Sequence, residues 1–153
     1  MSKNIILIIT PFLIIIAGLL IWKLFFYLPP ANSVKIKINN TNYDIELAKT
    51  TAQKTKGLSG REALCKNCGM LFVFGFETNL PFWMKDTFIP LDMIWLNKDG
   101  KVVDIQTVIE TNSTKIYQNQ APAKYVLELN ANDSQKINLK IGDIIDLSKV
   151  NEQ

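Results

Sequence analysis

The run FWMKDTFIPLDMIWL, residues 82–96, sets one lysine and two aspartates inside a stretch that otherwise reads as core strand. Lys85, Asp86 and Asp92 beside Trp83 and Met84 have the makings of a binding surface. The apolar pair would form a floor, the ammonium would meet an anionic or carbonyl group, and an acid would oppose it. Burial of such groups also moves them toward acid–base competence. Glu128 in YVLEL, residues 125–129, is a further candidate, turned either outward or into the same pocket. Each position also has a structural use. A buried aspartate in IPLD accepts backbone N–H groups to hold a turn. Lys85 lies over Trp83 or pairs with a nearby carboxylate. Arg61 is an anion contact or a solvated loop cation, and Asp143 after Gly142 is a turn residue.

The composition limits what these residues could catalyse. The chain has no histidine, which removes Ser-His-Asp triads, Cys-His pairs and a histidine base. Cys65 and Cys68, in CKNC, are the only cysteines. A zinc site needs about four ligands, so no metal and no cofactor are expected. A thioredoxin-like pair should open a helix, but CKNC runs into the strand-like GMLFVF. A small disulfide in an oxidising compartment is therefore expected, with thiol redox chemistry as an alternative. Two of the 17 basic residues, Lys3 and Lys23, precede residue 34, leaving 15 against 14 acidic side chains in the rest. That balance, with no basic and aromatic cluster, gives no support for nucleic-acid binding.

Residues that do chemistry must be held by a fold, and 153 residues suffice for one domain plus a short extra segment. The composition is 48% hydrophobic with mean hydropathy +0.10. One source is IILIITPFLIIIAGLLIW, 18 uncharged residues from 5 to 22, extended by LFFYL after Lys23. A bilayer core of about 30 Å needs roughly 20 apolar residues as a helix, so residues 5–28 are expected to span. A cleaved signal peptide would have a shorter apolar run and a small-x-small site, and Pro29 at minus three from Ala31 fits poorly. The expected organisation is a tail at 1–4, an anchor at 5–28, a linker at 29–33 and a domain at 34–153. The positive-inside count does not orient the span, whereas a disulfide favours an extracytoplasmic domain.

Within the domain, VKIKI and YDIEL alternate as a hairpin, with Lys35 and Lys37 opposite Asp44 and Glu46. A short helix follows and ends at Gly57. CGMLFVFGF is a strand covered on both faces. PFWMKDT and IPLDMIWL are two more extended pieces, with Trp83, Lys85 and Thr87 on one face of the first. NKDG turns the chain into KVVDIQTVIE. Residues 111–124 form a polar loop over one end, and YVLEL is a strand. NANDSQKIN makes a helical turn capped by Asn130 or Asn132, and LKIGDIIDL supplies a last strand. Seven or eight short strands and one or two short helices predict a mostly β fold, a small closed or partly open β-barrel, preceded by the transmembrane helix.

GLSGRE, GMLFVF, FWMKDTFIPLDMIWL, DGKVV, YVLEL and IGD occur in that order. This series resembles the uncharacterised DUF192 family, also called UPF0127, over about residues 45–147. The resemblance implies a small, mostly β, barrel-like domain and no agreed reaction. Ser59 stands where the family pattern has Met, and Asp86 where it has Asn. The function expected is a binding module at the cytoplasmic membrane, its FWMKDT–PLD surface meeting a small polar ligand or an envelope protein or peptide. The alternative is a cell-envelope enzyme with a Lys/Asp acid–base site.

Overall fold

The computed structural model describes residues 16–18 and 33–151. The expected anchor at 5–28 lies outside the described residues apart from the helical 16–18, as do the tail and most of the linker. Among the described residues no helix is long and apolar enough to cross a membrane.

Six strands form one sheet: β1 (Ser33–Ile38), β2 (Thr41–Ala48), β3 (Cys68–Thr78), β4 (Leu91–Leu96), β5 (Val102–Val108) and β6 (Ala123–Asn130). Their spatial order is β1-β2-β3-β6-β4-β5. All neighbours are antiparallel except β2 and β3. Three short helices accompany the sheet within the described residues 33–151: α1 (Thr51–Lys56), α2 (Asp133–Lys136) and α3 (Ser148–Asn151).

The sheet is not closed, which corrects the expected barrel. β1 pairs only with β2 and β5 only with β4, so each keeps an outer edge. An apolar layer covers each face instead of one core filling an interior. Ile36, Ile45, Leu71, Ile94, Leu127 and Leu129 pack on one face beneath Leu139, Ile145, Leu147 and Val150 of the C-terminal segment. Met70, Phe72, Met93, Trp95 and Val126 pack on the other, beneath Leu58, Leu80, Met84 and Ile89. Alternation along β3 and β4 sends successive side chains to opposite layers.

The β1–β2 hairpin forms as expected, and Lys35 pairs with Asp44 at 2.9 Å. Lys37 instead faces Asn42, and Glu46 is taken by Arg61. α1 ends at Gly57, whose φ of 47° suits a residue without a Cβ. Three expected elements differ. PFWMKDT is no strand: Phe82 makes one bridge to Tyr117, and the chain turns at Lys85–Asp86 with Asp86 at φ 55°. Pro81 and Pro90 lack the N–H that a continuous ladder would use. Residues 139–147 contribute only the bridge between Lys101 and Ile144. The 111–122 loop lies along residues 80–87, with Met84 N–H donating to Ser113 and Asn112 N–H to Thr87, and closes no barrel end.

Gly69 marks where the sheet is tightest. A Cβ there would sit 2.6 Å from the Glu128 carbonyl oxygen and 2.8 Å from Ile45 Cδ1. Backbone on one side leaves little room to relax, so Gly69→Ala is expected to cost about 2–3 kcal/mol, the range for overpacking. Equilibrium urea denaturation of the variant checks this; an unchanged midpoint would contradict the packing described.

Candidate functional site

Register sorts the charged residues onto two faces. Glu46 pairs with Met70, Met70 with Glu128, Glu128 with Met93, and Met93 with Gln106, one row on one face. The adjacent row runs Ile45, Gly69, Leu129, Asp92 and Thr107 on the opposite face. Asp92 and Glu128, grouped as candidates for one site, are therefore separated by the sheet.

Asp92 is fully buried and fully engaged. It accepts from Thr107 Oγ1 at 2.7 Å, Asn132 N–H at 3.0 Å and Ser134 N–H at 2.8 Å. Asn132 itself has a left-handed backbone and no side-chain cap bond. Asp92 thus caps α2 from forty residues away in sequence, where Asn130 or Asn132 was expected. Nearby Tyr43 has its phenol pushed up to about 12 by burial first, then by the charges of Asp133 and Asp92. This face carries structural work.

The other face holds a cavity of about 320 Å³. Phe72 and Phe74 of β3, with Phe82 and Trp83 of the 81–90 segment, supply apolar walls. Phe72 and Phe82 meet edge-to-face, with ring centroids 4.9 Å apart. α1 and the following turn add Lys54, Lys56, Leu58 and Ser59, and Lys85 and Thr87 line the far side. Lys54 Nζ donates to the Val73 carbonyl at 3.1 Å and lies 4.7 Å from the Phe74 ring centre. Lys85 Nζ lies 5.9 Å from the Trp83 ring centre, the first of the two structural uses open to it. Among the described residues it forms no ion pair, and neither do Lys54 and Lys56.

Glu128 lies on the cavity wall, 4% exposed. Its carboxyl makes no hydrogen bond to another described protein group. Burial pushes it up to about 8, against a smaller opposing pull from Arg61. Arg61 is committed elsewhere, bidentate to Glu46 through Nη1–Oε1 and, at 2.7 Å, Nη2–Oε2. The remaining candidates fall on either side of the wall. Met84 is fully buried in the apolar layer beneath. Asp86 lies outside the cavity on an adjoining shallow concavity with Trp83 and Lys85. Cys65 and Cys68 form a disulfide that takes no part in the cavity lining.

Two motif stretches meet at the rim. Ser59 Oγ donates to the Lys85 carbonyl at 3.2 Å, and Gly60 N–H to the Asp86 carbonyl at 2.8 Å. Phe72 follows them in GMLF and Glu128 in VLEL. The family model DUF192, described as "Uncharacterized ACR, COG1430", matches residues 34–147. The chain belongs to the DUF192 family. No curated protein matches it. Two solved structures are similar. One is from Sinorhizobium meliloti 1021, provisionally described as a transcription regulator: 29% identity, TM-score 0.69, covering 76% of this chain and 96% of that one. The other, of unknown function, is from Novosphingobium aromaticivorans DSM 12444: 29% identity, TM-score 0.68, covering 74% and 83%.

Sequence reasoning missed Lys54, Lys56, Phe72 and Phe74 as wall residues of this DUF192 domain. The available signal was T-x-x-Q at Thr50–Gln53, a capping box that starts a helix without a single buried side chain. A helix polar all round has no core to serve.

Two substitutions separate the faces. Asp92→Ala strands the buried Ser134 N–H and the part-buried Asn132 N–H and is expected to cost about 2–4 kcal/mol at neutral pH, measured by chemical denaturation. Glu128→Gln goes the other way. The folded-state pKa is raised, so wild type is at no disadvantage below the unfolded value of 4.5. It then loses stability as pH rises toward about 8. The variant is expected to match wild type at pH 4 and exceed it by about 3 kcal/mol at pH 7. Equal stability at both pH values would mean that Glu128 is solvated.

Proposed function

We propose that this DUF192 member is a small-ligand binding module, held outside the cytoplasmic membrane by a single span at residues 5–28. One observation carries the binding assignment. The GLSGR turn, Phe72, the FWMKDT segment and Glu128 converge on one aromatic-walled cavity, and the Glu128 carboxyl on its wall makes no hydrogen bond to another described protein group. A carboxyl so placed is open to a ligand or water in the cavity. About 320 Å³ falls at the low end of small-molecule sites, which run to about 1,000 Å³. The 18 uncharged residues before the domain and the Cys65–Cys68 disulfide support the anchored, extracytoplasmic placement.

An enzymatic reading has one specific support. A carboxyl raised to about 8 on a cavity wall suits a general acid near neutral pH. Its acid would be Glu128 rather than Asp92, which is spent on α2. The description of the Sinorhizobium relative finds no counterpart here. The described domain helices have four to six residues, too short to serve as a groove-reading helix.

Native mass spectrometry of the full chain released from lipid nanodiscs tests the reading. Wild type is expected to carry a small bound molecule. Trp83→Ala and Lys85→Ala are expected to weaken its retention by about tenfold or more, the loss of one good contact. An empty wild-type protein, or equal retention in both variants, would overturn it.

A further inference from the structure

Of the groups lining the cavity, the charged ones are nearly all of one sign. Lys54 and Lys56 reach it from α1 and Lys85 from the 81–90 segment. None of the three has an ion-pair partner among the described residues. The remaining cation nearby, Arg61, is neutralised by Glu46 of β2. The strands flanking Glu128 face it with Met70 and Met93, which carry no charge. Glu128 is thus a solitary acid on an apolar floor, with unpaired lysines in the surrounding wall.

We propose that the cavity takes a small organic anion, its apolar or aromatic body between Phe72, Phe82 and Trp83 and its anionic head between the Glu128 carboxyl and the lysine ammonium groups. The inference rests on the small-ligand reading above and names the class of ligand.

Each part follows from the lining. Four aromatic rings leave an inorganic ion with walls it cannot use, whereas a planar or aliphatic body displaces water from them. An anionic oxygen gains from three ammonium groups that have no carboxylate partner among the described residues. Glu128 completes the head site as a hydrogen-bond donor while it keeps its proton, and burial keeps it protonated to about pH 8. A ligand ammonium would need the opposite. It would have to ionise Glu128 while standing among three lysines of its own sign.

Isothermal titration of the full chain in nanodiscs, against empty nanodiscs, distinguishes the classes. The probes are phenylacetate, benzamide and benzylamine, which share a ring and differ in charge. At pH 6.5 phenylacetate is expected to bind about tenfold or more tightly than either of the others. Its affinity should fall by up to about tenfold between pH 7 and pH 9 as Glu128 ionises. Glu128→Gln keeps a donor that cannot ionise and should flatten that dependence. Lys85→Met should weaken phenylacetate and leave benzamide unchanged. Preference for benzylamine or benzamide would overturn the anion proposal while the small-ligand reading stood. So would phenylacetate binding that is flat with pH in wild type. Failure of all three probes to bind would remove both.

Discussion

Two neighbouring parallel strands cannot be joined by a tight turn, and β2 and β3 are such a pair. The chain leaves β2 at Ala48 and must travel back along the sheet before Cys68 begins β3. Residues 49–67 make that return, and Leu58 anchors them in the layer that holds Phe72 and Trp95. α1 therefore lies over this face because the connection is obliged to pass there, not because it has apolar surface to bury. Its own stability is local. Thr50 and Gln53 exchange the two bonds of a capping box, Gly57 ends the last turn, and Lys54 ties the helix to the Val73 carbonyl. A helix held at its ends leaves its inner side free, and that gap is the cavity.

The same sheet settles two carboxylic acids in opposite ways. Asp92 pairs with Leu129, the residue after Glu128, so one acid points to each face. On Asp92's face the neighbouring segment arrives with donors: the start of α2 presents Asn132 and Ser134 N–H groups, and β5 presents Thr107. Three donors repay the loss of water, and the acid becomes a fixed part of the framework. On Glu128's face the neighbours are Met70, Met93 and aromatic rings, none of which donates to it. Arg61 could have been its partner, but the fork of its guanidinium is filled by Glu46. Burial with no donor favours the neutral acid, which raises its pKa and leaves a polar group facing an open space. Stability is conceded at Glu128 while Asp92 across the sheet is fully engaged, a pattern that belongs to sites more than to frameworks.

Local signals in the sequence carried the elements whose causes are local. The β1–β2 hairpin, the stop at Gly57, the NKDG turn and the double-sided burial at the start of β3 depend on alternation, a special backbone angle or a continuous apolar run. The structural role of Asp92 was also visible, although its partners were not. What failed depended on register or on distant contacts. Alternation through residues 82–88 assumed an extended chain, and the left-handed backbone of Asp86 breaks that phase. A barrel, closed or partly open, was expected from many short strands, but strand count does not say whether the first and last strands meet. The faces of Asp92 and Glu128 follow from the pairing of β6 between β3 and β4, a non-sequential arrangement that no short motif encodes. The lysines of α1 drew no assignment because only the crossover puts them on the same cavity as Trp83.

The two departures from the family pattern, Ser59 and Asp86, both lie where the GLSGR turn meets the FWMKDT turn. A left-handed residue at φ 55° is best filled by Asn or Asp among side chains with a Cβ, so Asp86 keeps the geometry that the family's Asn would give. The Ser59 hydroxyl donates to the Lys85 carbonyl, a bond that the family's Met could not make. It adds to the backbone bond from Gly60 to Asp86 and fastens one rim of the cavity to the other. The exchange of Asn for Asp changes charge without changing shape. Asp86 stands outside the cavity on the concavity it shares with Trp83 and Lys85, where it offsets part of the lysine charge facing solvent. Lys56 and Lys85 are exposed and Lys54 is half-buried beside Phe74. Three lysines without an ion-pair partner among the described residues, gathered around one cavity, are how a chain with so small a net charge can still present a cationic site.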